Sequence, residues 1–151
     1  MPGRSPSRTT GERVAVMADD EARELAAALA IAPADPGGVH EARKCVRRLR
    51  SLLALCRRAL GRDSVDAVDD ELRALAKGLS ALRDGQVVQD VARQMADDAE
   101  AGAEASNWRA VLPLLAERQQ HRLAEALRDD PGFMRRQARA HRLASQLQQL
   151  A

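Results

Sequence analysis

The chain has 151 residues, 24 Lys and Arg against 22 Asp and Glu, a formal net charge of +2, and 45% apolar residues, a size that fits one domain with a real core and is short for two. The apolar residues are almost all Ala, Leu and Val, with one Trp, one Phe and no Tyr, which predicts an all-α fold, an antiparallel bundle of about six helices. It also excludes a base-stacking platform for single-stranded nucleic acid, which Trp108 and Phe133 alone cannot build.

Residues 1–11, MPGRSPSRTTG, are rich in Pro, Gly, Ser and Arg and are expected to form a disordered tail, leaving 12–151 as the helical domain. The first ten residues lack the apolar stretch of a signal peptide, and no apolar run reaches spanning length, so a soluble, cytoplasmic protein without membrane contact is expected. Val14, Met17, Leu25 and Leu29 predict a first helix from about Glu12 to Ala32, ended by Pro33. The loop PADPGG follows, and Gly37 and Gly38 at the entrance of the next helix leave room for its first-turn amides to approach a ligand.

That next helix, Val39 to Arg62, is the most unusual stretch. It holds Arg43, Lys44, Arg47, Arg48, Arg50, Arg57, Arg58 and Arg62 against one acid, Glu41. At 3.6 residues per turn, His40, Arg43, Arg47, Arg50 and Arg58 fall within an arc of about 80 degrees, with Val46, Leu49, Leu53, Cys56 and Leu60 roughly opposite. From His40 to Arg50 the cationic ridge runs about 15 Å, a length that suits an extended polyanion better than a single phosphate. Like charges at i,i+4, as at Arg43 and Arg47, repel by a few tenths of a kcal/mol unless an anion neutralises them.

Gly61 marks a helix stop, and Asp63 and Ser64 offer capping oxygens to a third helix, about Val65 to Leu82. Arg83, Asp84 and Gly85 are expected to break or kink it before a fourth, about Val87 to Ala103. Asn107 reads as the cap of a fifth, Trp108 to about Arg128, kinked near Pro113, and Asp130, Pro131 and Gly132 as the turn into a sixth, about Pro131 to Leu150.

Charge is segregated along this order: −2 over 1–38, +7 over 39–62, −7 over 63–104 and +4 over 105–151. The acidic middle could neutralise the basic helix within the fold. Its acids, however, gather at helix starts and near residue 100, where the macrodipole and solubility account for them, and no strip at matching helical spacing is apparent from the sequence. Both an external anion and internal pairing therefore stay open.

Cys45 and Cys56 lie about 16 Å apart along one helix, too far to bridge, and read as buried structural thiols. His40, His121 and His141 fall on separate helices without metal-ligand spacing, and there is no Gly-rich phosphate loop and no nucleophile signature. The chain is expected to be no enzyme and to need no metal or cofactor.

VHEARKCVRRLRSLLAL, followed about 30 residues on by ELRALAKGLSALRDGQVV, closely resembles the CHAD domain, the conserved histidine α-helical domain. The first motif of that family is matched by Val39, His40, Arg43 and the run Arg47-Arg48-Leu49-Arg50; the second is matched in part, by Leu79 and by Leu82-Arg83-Asp84, with Ser80 where the family has Gly and Gln86 where it has Asp. The resemblance implies binding of inorganic polyphosphate by His40, Arg43, Arg47, Arg48, Arg50 and Arg83, and with it association with polyphosphate granules. It also implies two related bundles in the complete architecture, of which this chain resembles the N-terminal one, and so a homodimer that restores the two-fold and brings two basic helices to a shared groove. The competing reading is a helical interaction protein whose basic face binds an acidic protein partner or nucleic acid, the latter disfavoured by the shortage of aromatics and the lack of a DNA-binding helix pair.

Overall fold

The computed structural model describes residues 9–150, which form five α-helices and one 3-10 turn: α1 (Thr10–Ile31), α2 (Pro36–Leu60), α3 (Arg62–Asp98), α4 (Ala103–Asp129), the turn Pro131–Phe133, and α5 (Met134–Gln149). Helix α1 packs on α2 and α5, α2 on α3, and α3 on α4. Leu25 and Leu29 of α1, Leu49 and Leu53 of α2, Leu72, Leu75 and Leu79 of α3, Phe133 of the 3-10 turn and Leu143 of α5 are the largest fully buried side chains, so one core joins α1, α2, the first half of α3, the turn and α5. The all-α expectation holds.

Its details shift. The first eight residues of the expected tail lie outside the described residues, but Thr9 already caps α1. Its hydroxyl accepts from the Glu12 amide at 3.2 Å while the Glu12 carboxylate accepts from the Thr9 amide at 2.7 Å, a reciprocal capping box. At the entrance of α2 the amides are not free for a ligand. Asp35 accepts from Gly37 N–H at 2.8 Å through its side chain and from Gly38 N–H at 2.9 Å through its carbonyl. The glycine at 38 serves packing: a Cβ there would stand 2.6 Å from Ala32 N and 2.7 Å from Ala28 O, so only hydrogen lets α2 cross the end of α1 this closely.

The break expected at Arg83-Asp84-Gly85 is absent, and the third and fourth expected helices are one 37-residue helix. Gly85 is buried against α4, where a Cβ would collide with the Gln119 side chain. A glycine inside a helix costs about 1 kcal/mol relative to alanine, and here it is kept for the close approach of α4. Likewise α4 starts at Ala103, after Gly102, rather than at Asn107, so Pro113 lies well inside it instead of in its first turn. The last helix begins at Met134, because Gly132 and Phe133 both adopt left-handed conformations that seat Phe133 in the core. Buried Asp130 then accepts from the amides of Arg135 at 2.8 Å and Arg136 at 3.2 Å and from the Arg136 guanidinium at 3.0 Å, which anchors the start of α5.

Candidate anion-binding groove on α2

Helix α2 is positioned by its own pattern. Gly38, Val39, Ala42, Cys45, Val46, Leu49 and Leu53 form the buried stripe, and the cations take what remains of the circumference. Because α2 and α3 run antiparallel, cations on one side of α2 meet α3 in reverse order. Arg43 lies beside Ser80, Arg50 beside Asp69 and Arg57 beside Asp66.

This register divides the ridge. Toward the C-terminal end, Arg50 donates to both oxygens of Asp69 at 2.7 and 3.4 Å, and Arg57 to both oxygens of Asp66 at 2.8 and 2.6 Å. Asp69 is also shared with Arg73 at 2.9 Å. Asp66 and Asp69 thus do form a short matching strip, contrary to the sequence reading. They stand near the start of α3, where the macrodipole alone seemed to explain them, and only the antiparallel register reveals their second use. The hydrogen bond from Arg57 holds the Asp66 carboxyl below its ordinary range.

Toward the N-terminal end, Arg43 donates to the Ser80 hydroxyl at 3.0 Å and, like Arg47, forms no ion pair among the described residues. Ser80 in turn donates to Ala76 O at 3.1 Å, so a neutral hydroxyl orients the Arg43 fork without cancelling its charge. Arg43, Arg47 and Arg50, with Val46, Ser51, Ala54 and Ala76, line one open groove of about 370 Å³ between α2 and α3. In the sequence Ser80 stands out only as a departure from a motif; a hydroxyl where the motif has glycine is the available signal for an Arg partner.

The other expected site residues are not gathered into that groove. Arg48 turns to α1 and pairs with Glu21 at 3.1 Å. His40 lines a separate recess of about 420 Å³ between α1 and α2, with Glu24, Glu41 and Cys45 among its walls. Arg83 is half-buried on α3, three residues after Ser80, and makes no ion pair with the adjacent Asp84. Carried one turn beyond the Arg43 and Ser80 contact, the antiparallel register sets His40 and Arg83 level with each other.

Beside that second recess, donor atoms of Glu21, Glu24 and Cys45 come within 4.8 Å of one another. Burial and the neighbouring Glu21 push the Cys45 thiol up to about 12, so it is protonated at neutral pH, and Glu21 is already taken by Arg48. A protonated thiol and a paired carboxylate make a poor cation site. Cys56, expected to be buried like Cys45, is only half-buried.

What the groove can do chemically follows from its donors. Guanidinium forks with unpaired N–H groups form bidentate, charge-assisted bonds with phosphate-type oxygens and stay charged at any ordinary pH. No helix among the described residues is long and apolar enough to cross a membrane. Among protein-family models, that of the CHAD domain matches residues 17–151. No curated protein and no solved structure matches the chain.

Proposed function

Because the chain belongs to the CHAD domain family, we propose that it is a non-catalytic module that binds inorganic polyphosphate along α2. The observation that carries this reading is the pair Arg43 and Arg47, which face one groove with no carboxylate to neutralise them, although the same helix pairs Arg48, Arg50 and Arg57 with acids of its neighbours. Arg43 and Arg47 are the primary contacts in this proposal. Arg50 borders the groove and exchanges one Asp69 oxygen for a phosphate oxygen as the chain passes. His40 and Arg83 extend the track toward the start of α2, and Arg48 contributes least, since binding there requires breaking its contact with Glu21.

Affinity arises from phosphate contacts and the counterions they release, so it falls as salt rises and grows with polyphosphate length until the track is filled. The test is a titration of the purified protein with polyphosphates of defined length at two salt concentrations, with duplex DNA as competitor. The proposal expects long chains to bind more tightly than short ones, a steep salt dependence, and displacement of DNA by polyphosphate at equal phosphate concentration. DNA displacing polyphosphate would favour the general nucleic-acid reading, and release of orthophosphate in the presence of Mg²⁺ would make the protein an enzyme.

A further inference from the structure

Beyond the bundle, the second half of α3 and the first half of α4 form an arm. The backbone of α4 approaches only α3 and the 3-10 turn, and Ala105 is its single buried residue, although Leu123, Ala126 and Leu127 reach the edge of the core from its second half. Within the arm, Gly85, Ala92 and Ala96 of α3 face α4. Val88, Val91 and Met95 sit beside them at i, i+3 and i+7, and each is 46 to 50% exposed. On α4, Val111 is 38% exposed, and it belongs to a stripe with Glu104 and Arg118 at seven-residue spacing, continued by Arg122. In an antiparallel pair of right-handed helices these two flanks lie on the same side, so one face of the arm is apolar in its middle.

The ends of that face carry opposite charges. At the tip, the two stripes end in Asp98 and Glu104, with Glu100 in the connecting loop; at the base, where the arm joins the bundle, the α4 stripe holds Arg118 and Arg122 and the α3 stripe holds Asp84. None of Asp98, Glu104, Arg118 and Arg122 forms an ion pair among the described residues. A two-fold axis across the apolar middle would turn one arm end over end on another, α3 on α3 and α4 on α4, so Glu104 meets Arg118 and Arg122 twice while Val88, Val91, Met95 and Val111 meet their own copies, at the cost of setting Asp98 near Asp84.

We propose that this face is the contact surface of a homodimer, formed by two arms packed antiparallel as a four-helix bundle. An isologous interface must be self-complementary, with residue i against j and j against i, and the pattern of acid, apolar and base along the α4 stripe, Glu104, Val111, Arg118 and Arg122, meets that condition. The arm spans about 16 residues of each helix, or about 24 Å, and is two helices wide. Its face is about 480 Å² in flat projection, of the same order as, and below, the roughly 800 Å² per partner of standard stable interfaces. The surface is built from residues outside the α2 groove, so dimerisation and anion binding can fail separately.

Charge exchange tests the pairing. The tip variant Glu104→Arg and the base variant Arg118→Glu, Arg122→Glu each place like charges at both contacts. Equal mixing restores opposite charges at both. By sedimentation equilibrium at about 50 μM, wild type is expected to be a dimer, each variant alone a monomer, and the mixture a heterodimer. Val91→Glu with Met95→Glu is expected to give a monomer with unchanged helical circular dichroism and unchanged polyphosphate affinity per chain. A monomeric wild type, a mixture that stays monomeric, or a fully dimeric Val91→Glu, Met95→Glu protein would overturn the proposal.

Discussion

The two ends of α2 carry nearly the same cations and use them differently. At the C-terminal end Arg50 and Arg57 lock α2 to α3 through Asp69 and Asp66. At the N-terminal end, backbone proximity at Gly38 and the buried Val39, Ala42 and Val46 hold the helix instead, and Arg43 and Arg47 stay unpaired. The difference teaches that a charge cluster is not one functional unit. On the α3 side of the N-terminal half no acid reaches Arg43 and Arg47, which leaves them available to a ligand; at Arg50 and Arg57, and at Arg48 on the α1 side, carboxylates occupy the cations.

The largest expected effect separates the two ends by binding. A hydrogen bond to a charged group contributes about 1.5 to 3 kcal/mol, so Arg43→Ala with Arg47→Ala should weaken long-chain polyphosphate by at least about 100-fold, at one tenfold step per 1.4 kcal/mol. Arg48→Ala with Arg57→Ala removes the same formal charge and should cost less than about fivefold. Equal losses measured by calorimetry for the two double variants would mean that total charge, and not the groove, sets affinity.

Stability provides the reverse contrast. Gly38→Ala drives a methyl group into the backbone of Ala28 and Ala32, and overpacking of this kind costs about 1 to 3 kcal/mol. Urea unfolding should show that loss. Gly61→Ala, beyond the other end of the helix, has nothing within 4 Å of its Cβ, and its cost is confined to the strain of a φ of 92°. A Gly38→Ala protein as stable as wild type would show that α1 and α2 are not held by this crossing.

A gain of function is the next, smaller effect. Asp66→Asn with Asp69→Asn releases Arg57 and Arg50 and extends the open track along α2, so polyphosphate affinity should rise roughly three- to tenfold at low salt, with a steeper salt dependence. Unchanged affinity would confine the site to its N-terminal end.

Much of this was legible in the residues. The Ala and Leu content and the helical spacing of the apolar residues point to helices, and the stripe Val46, Leu49 and Leu53 to the face of α2 that is buried. The cationic arc also found Arg43, Arg47 and Arg50. Three things were not legible, because each depends on a neighbour far along the chain. Gly85 looks like a breaker until Gln119 stands against it. Asp66 and Asp69 look like helix-start acids until α3 lies antiparallel to α2. Arg48 shares a short sequence with the groove but turns toward α1, and His40 lines a recess outside it, a difference of helical face that a motif does not encode.

The smallest expected effect concerns acid. Asp66 has its carboxyl pKa lowered by the Arg57 hydrogen bond, so it contributes stability that is fully present above the unfolded-state value, near 4, and is lost as pH falls through the lower folded value. Arg43 has no carboxylate partner to protonate, because its fork is oriented by the Ser80 hydroxyl. Acidification from pH 5 to pH 2.5 should therefore move the Arg57 side-chain N–H resonance and leave that of Arg43 in place. Asp130, buried and bonded to the amides of Arg135 and Arg136, is also held below its ordinary value, since these bonds more than offset the opposing effect of burial, and it loosens the start of α5 in the same direction. Asp66→Asn removes the Arg57 response and keeps the Asp130 one. If Arg43 shifted together with Arg57 in wild type and lost that shift in the Asp66→Asn variant, the two ends of α2 would be responding as one unit, and the division between them would fail.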